Sequence, residues 1–157
     1  MIKLLHHDCE RGIYALVVEI ESPSLIKLKG KDVSISPGIY VYVGSAKGPG
    51  GVRARVSRHV RKAKKVKWHI DLVTTLPQAR VLGAFCAETV EPECVLVPPL
   101  ESLGFEHVVK GFGSSDCTRG CTSHFLRWTK SGGVDGVLLE AFMLAGLRGK
   151  VLELKPV

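Results

Sequence analysis

The chain has 157 residues, 45% of them hydrophobic and 24% charged, which is globular composition long enough for one core and excludes a disordered or low-complexity chain. The longest apolar stretch, Val137 to Leu147, is short and carries Glu140, so no membrane span or membrane partner is expected; the early polar residues His6, His7, Asp8 and Glu10 do not suit a secretory signal, which predicts a cytoplasmic protein. The net charge of +7 is strongly localised.

Gly12 to Ile20 is rich in β-branched and aromatic residues and reads as a strand. Leu25 to Leu28 reads as a second, set between turns at Ser22-Pro23-Ser24 and Gly30-Lys31-Asp32, and Gly38 to Gly44 as a third. Their short connections predict an antiparallel meander. After the loop Ser45 to Gly51, a helix is expected over Val52 to Lys64, with Val52, Val56, Val60 and Ala63 on one stripe. Arg55, His59 and Lys62 lie along the edge of that stripe, and Arg58, Arg61 and Lys65 further out. Trp68 to Leu76 reads as a second short helix and Val81 to Ala87 as a strand. Thr89 to Val97 reads as a helix capped by Thr89 and ended by Pro98-Pro99, with a turn over Leu100 to Leu103. His107 to Lys110 and His124 to Trp128 read as short strands around a Gly/Ser/Cys loop, Val137 to Leu147 as a helix, and Val151 to Leu154 as a last strand. The expected fold is α+β, a small, mainly antiparallel sheet flanked by helices. Residues 1–130 are expected to form the domain. Residues 131–157, which begin with the loose Ser131-Gly132-Gly133, are expected to be a C-terminal extension packed on it.

Between Lys47 and Lys67 stand nine cations and no acid: Lys47, Arg53, Arg55, Arg58, Arg61, Lys62, Lys64, Lys65 and Lys67. The rest of the chain, with 13 cations against 15 acids, is slightly negative. Solvated helix faces usually interleave acids for i,i+4 pairing. A concentrated basic field points instead to a phosphate-bearing partner, nucleic acid above all. Lys47, Arg58, Arg61, Lys62 and Lys65 are the candidate contacts.

After Gly12-Ile13-Tyr14, five elements occur in order: Gly38 to Ala46, with Tyr42-Val43-Gly44; Gly48 to Gly51; Arg55 to His59; Trp68 to Asp71; and, further on, Phe112 to Phe125. This order resembles the GIY-YIG nucleases, and most closely the Uri-type endonuclease branch. The resemblance spans roughly Arg11 to Trp128. The 28 positions from Tyr14 to Tyr42 are a longer interval than in the wider family, and the stretch after Ser131 has no counterpart in it.

The resemblance implies a metal-dependent endonuclease that hydrolyses phosphodiester bonds, with DNA as partner and repair of deaminated or damaged bases as its setting. The alternatives are a non-catalytic nucleic-acid-binding module and an RNA-cleaving nuclease, which phosphate contacts alone do not separate. The resemblance makes Tyr14 the general base or holder of the attacking water, and has Tyr42 order the water network. Arg55 would neutralise the scissile phosphate, and His59, one helical turn on, would relay a proton. His69 matches another family histidine or serves as a structural partner of Trp68 or Asp71. Glu93 would hold a single Mg²⁺ or Mn²⁺, with Glu101 as the fallback. Apart from the resemblance, Cys117, Cys121 and His124, beside Asp116, have the spacing of a partial Zn²⁺ site, with a fourth ligand from Cys9 or Cys94; buried thiols or a local disulfide are the alternatives. His6-His7-Asp8-Cys9 is too local to assign beyond a polar surface. Sequence leaves the oligomeric state open.

Overall fold

The computed structural model describes residues 2–4, 9–114 and 117–156. His6, His7, Asp8 and Asp116 lie outside the described residues. Nine strands are β1 (Ile2–Leu4), β2 (Gly12–Ile20), β3 (Ser24–Leu28), β4 (Lys31–Ile35), β5 (Gly38–Ala46), β6 (Ala79–Glu88), β7 (Phe105–His107), β8 (Phe125–Trp128) and β9 (Lys150–Pro156). The helices are α1 (Gly51–Val60), α2 (Asp71–Thr74), α3 (Val97–Leu103) and α4 (Asp135–Leu144), with a 3-10 turn over Glu93–Leu96.

Seven strands make one sheet in the order β1-β9-β6-β2-β5-β8-β7, and every described pairing is antiparallel. The α+β expectation holds. β2 lies at the centre and is buried on both faces, which explains its nearly unbroken apolar run. Its even positions, Tyr14, Leu16, Val18 and Ile20, pack with Val52 and Val56 of α1, Ile70 and Val73 near α2, and Phe112 and Phe125. Its odd positions, Ile13, Ala15 and Val17, pack with Leu96, Val97 and Leu100 around α3 and with Leu138 and Phe142 of α4. The sheet is thus the middle of three layers. β9, from the segment after Ser131, pairs with β6 inside this sheet.

The meander is corrected. β2 pairs directly with β5, while β3 and β4 leave the main sheet as a separate two-stranded hairpin. Lys31 and Asp32, read above as turn residues, belong to β4. The turn is only Lys29-Gly30, with φ of 51° and 80°, the left-handed pair that a two-residue hairpin needs. Its buried residues Ile26, Leu28 and Ile35 join the core on the α1 face.

Two helix boundaries also differ. α1 stops at Val60 rather than Lys64, because Arg61 turns to extended backbone (φ −70°, ψ 129°). The Lys64 ammonium then folds back on the Arg58 and His59 carbonyls, placing a cation at the negative end of the helix. Pro98 and Pro99 do not end a helix but begin one. They occupy the first turn of α3, where a missing N–H costs no hydrogen bond. Thr89 caps no helix; its hydroxyl accepts from the Glu91 N–H in the loop ahead of the 3-10 turn. No described helix is long and apolar enough to cross a membrane.

A buried polar cluster beside the basic helix

Tyr14 sits in β2 between Gly44 of β5 and Cys86 of β6. Its ring occupies the space that a side chain at Gly44 would take: a Cβ there would lie 2.5 Å from the Tyr14 hydroxyl. On the same side Cys86 is joined to Cys9 by a disulfide, the one bridge among the described cysteines. α1 approaches this face because its start is clamped to the chain ahead of β2. The Val52 N–H donates to the Glu10 carbonyl at 2.7 Å, and Gly51, at φ 62°, has no room for a Cβ against that carbonyl.

The clamp brings His59 onto Tyr14, with the Tyr14 hydroxyl 2.7 Å from His59 Nε2 and both side chains buried. Tyr42 closes the group, its ring centroid 6.4 Å from that of Tyr14 and 6.0 Å, edge-on, from that of His59. Burial, helped by the neighbouring Lys64, lowers the His59 pKa to about 3, so the imidazole is neutral at ordinary pH. Burial also pushes Tyr14 well above the usual phenol range and Tyr42 to about 12. The consistent proton placement has the Tyr14 O–H donating to Nε2. His59 Nδ1 then carries a hydrogen that is buried without a partner.

Arg55 and Glu93 both act on this group. The Arg55 guanidinium lowers the pKa of the Tyr14 and Tyr42 hydroxyls electrostatically, while Glu93 raises both. Arg55 is held by the Ser45 carbonyl at 3.2 Å and lies 4.4 Å over the Trp68 ring. Arg58 lies over the same ring at 4.2 Å. Its guanidinium is gripped by Asp71 through two 2.8 Å hydrogen bonds. Asp71 is fully buried and also accepts from the Lys67 and Trp68 N–H groups. Burial raises its carboxyl, but the Arg58 bond and the two N–H bonds outweigh that and bring it to about 2. Trp68 and Asp71 were not identified in the sequence as the platform and anchor of these arginines. The signal was their place directly after the basic run.

Glu93 opens the 3-10 turn, which packs against β5. Its carboxylate is about one-quarter exposed and lies 3.8 Å from His124 Nδ1. The fallback, Glu101, instead binds His107 at 2.9 Å. His69 accepts the Gly113 N–H on Nδ1 at 2.9 Å and packs on Phe112, which ties the 111–114 loop to the start of α2.

The basic residues divide. Lys47 donates to the Thr89 and Glu91 carbonyls at 2.6 and 2.9 Å and pins the loop ahead of Glu93. The Lys62 ammonium is spent on the Thr74, Leu76 and Ala79 carbonyls. Arg61 and Lys65 stay exposed. Arg55, Arg58 and Arg61 line one side of a cleft of ≈240 Å³ whose other wall is the Gly48-Pro49 loop.

A second constellation adjoins the first. Cys94, Cys117, Cys121 and His124 offer ligand atoms all within 4.8 Å of one another and could hold a metal ion. Of the two candidates for the fourth ligand, Cys94 is in place, and Cys9 is committed to Cys86.

The class defined so far is a three-layer α+β domain with a polar cluster buried between its sheet and a basic helix. The chain belongs to the family described as the domain of unknown function DUF123, which matches residues 13–145, from β2 through α4. No curated protein and no solved structure matches the chain.

Proposed function

We propose that the protein is a metal-dependent endonuclease that hydrolyses phosphodiester bonds, with DNA carrying deaminated or damaged bases as its substrate. The observation that carries this reading is the buried Tyr14–His59 hydrogen bond, with the Arg55 and Glu93 charges within electrostatic reach of the same hydroxyl. Tyr14 and His59, 45 positions apart in the chain, meet there. A module that only binds has no use for a polar cluster whose burial leaves His59 Nδ1 without a partner.

The residues suit a hydrolytic role. The phosphate would enter the cleft lined by Arg55, Arg58 and Arg61, where Arg55 neutralises charge that develops as water attacks. The attacking water passes its proton to the Tyr14 oxygen as the Tyr14 O–H passes its own to neutral His59 Nε2. The phosphorus–oxygen bond to the leaving strand then breaks, and solvent protonates the departing oxygen. Glu93 is a lone, partly exposed carboxylate, a donor suited to Mg²⁺ or Mn²⁺. Such an ion would supply Lewis-acid stabilisation of the phosphate oxygens. Arg61 and Lys65 would carry non-specific backbone binding. Lys62 and Lys47 would instead hold the scaffold, because their ammonium groups already serve backbone carbonyls.

The test is a cleavage assay with Mg²⁺ on plain duplex, uracil-containing duplex, single-stranded DNA and RNA. Faster cutting of the uracil duplex supports the full reading. Preferential cutting of RNA moves the substrate, and binding to every arm without cutting leaves a binding module.

A further inference from the structure

The cysteine–histidine cluster draws on three parts of the chain. Cys94 comes from the 3-10 turn, Cys117 and Cys121 from the loop after Gly111, and His124 from the residue just before β8. Cys94 Sγ lies 3.0 Å from Cys117 Sγ and 3.8 Å from His124 Nε2. Tetrahedral Zn²⁺ with Zn–S bonds of about 2.3 Å separates its sulfurs by roughly 3.8 Å, so small movements would complete the shell. A disulfide would use two of the sulfurs and strand the third beside a buried imidazole. The turn from Cys117 to Cys121 passes through Gly120 at φ 75°, a left-handed backbone that glycine adopts at no cost. Three sulfurs and one nitrogen suit a borderline-soft cation rather than Mg²⁺ or Ca²⁺, and four protein ligands make a closed, structural site.

The second nitrogen of His124 gives the site its further role. With Nε2 facing the sulfurs, Nδ1 faces Glu93 Oε1 at 3.8 Å. Glu93 also precedes the ligand Cys94 in the chain. A carboxylate set behind a metal-bound histidine fixes that ring, and the ring fixes the carboxylate in return. The same loop reaches Tyr42, because a Cβ on Gly113 would lie 2.9 Å from the Tyr42 ring.

We propose that Cys94, Cys117, Cys121 and His124 bind one Zn²⁺ that staples the loop carrying Cys117 and Cys121 to the 3-10 turn and thereby positions Glu93. The zinc site stands on its own geometry. The positioning of Glu93 as a ligand rests on the nuclease reading above.

The full-length protein, purified without chelator, should contain one zinc per chain by elemental analysis. Cys117→Ser and Cys121→Ser, which alter partly exposed loop positions, should each lose it and keep the circular dichroism of the fold. Replacement with Co²⁺ should give tetrahedral ligand-field bands with sulfur charge transfer. Glu93→Gln should retain the metal and shift those bands, because its partner His124 reorients. Mn²⁺ binding to the wild type, followed by electron paramagnetic resonance, should weaken roughly 10- to 100-fold in Cys121→Ser. A metal-free wild type with a Cys94–Cys117 disulfide would overturn the zinc site. Unchanged cobalt bands in Glu93→Gln, or unchanged Mn²⁺ binding in Cys121→Ser, would overturn the positioning. Zinc content is read without any cleavage, so a zinc-loaded protein that cuts nothing refutes the nuclease reading alone.

Discussion

The two faces of strand β2 differ sharply, although they are built from alternate residues of one segment. Ile13, Ala15 and Val17 face a layer of hydrocarbon from α3 and α4, with Leu138 and Phe142 fully buried. One residue away, Tyr14 faces a neutral histidine and a second tyrosine, with the charges of Arg55 and Glu93 within electrostatic reach. The first face follows the ordinary physics of folding, in which apolar area leaves water and the layers lock by shape. The second keeps a histidine nitrogen buried without a partner, an arrangement that costs stability and persists where chemistry needs it. Both faces thus hold the fold, and one of them also carries the proposed reaction.

Mutations should separate the two roles. The largest effect expected is on cleavage: Tyr14→Phe should slow metal-dependent cutting by about 10²- to 10⁴-fold, far more than the roughly 1–3 kcal/mol of stability lost by leaving His59 Nε2 unpaired accounts for. Cutting at the wild-type rate would remove Tyr14 from the mechanism. On the opposite face, Phe142→Ala should cost roughly 3–5 kcal/mol in urea unfolding and leave the activity of the folded fraction unchanged. Equal loss of activity per folded molecule would mean that the faces are not independent.

A smaller effect concerns acid. His59 stays neutral in the folded state down to about pH 3, whereas in the unfolded chain it protonates near the ordinary histidine value of 6.5. Its contribution to stability is therefore complete above pH 6.5 and is lost as pH falls toward 3, by up to about 1.4 kcal/mol per pH unit. His59→Gln should flatten that part of the stability–pH curve, and a curve of unchanged slope would place the titration elsewhere. Asp71 acts lower: its depressed pKa adds stability that is present above the usual carboxylate range and lost as pH falls through about 2. The smallest effect is at the surface. Replacing Arg61 and Lys65 with Gln should reduce the salt dependence of DNA binding by about 0.9 in log–log slope per contact, equally on all sequences. An unchanged slope would place the phosphate path off this helix.

How much of this was legible in the sequence depended on the kind of signal. β2 matches the expected Gly12 to Ile20 because a run of β-branched residues specifies a buried strand from its own composition. β4 was hidden because Lys29-Gly30 is an unusual pair for a hairpin turn, and Lys31 and Asp32 resemble loop residues. Pro98-Pro99 was misread because proline ends a helix in its interior and opens one in its first turn, and only packing decides which. In the site, Tyr14, Tyr42, Arg55, His59 and Glu93 were all named from motif order, yet their electrostatic contact depends on the β2–β5 register and the Glu10 clamp on α1. The sequence reading placed Lys47, Lys62 and Lys65 alike among the candidate phosphate contacts. It cannot show that Lys62 meets three carbonyls from the α2–β6 turn while Lys65 stays exposed.

The contact between Tyr14 and Gly44 turns two distant triplets into a single mechanical joint. The tyrosine of Gly12-Ile13-Tyr14 fills the hollow left by the glycine of Tyr42-Val43-Gly44, directly across the strand pair. Neither triplet has its meaning alone: without Gly44 the ring has no berth, and without the ring the hollow is a defect. Lineages that enlarge position 44 must shrink or displace position 14, so the two should change together or not at all. The intervening hairpin can drift more freely, since the joint is set by register rather than by the length of chain that connects its halves.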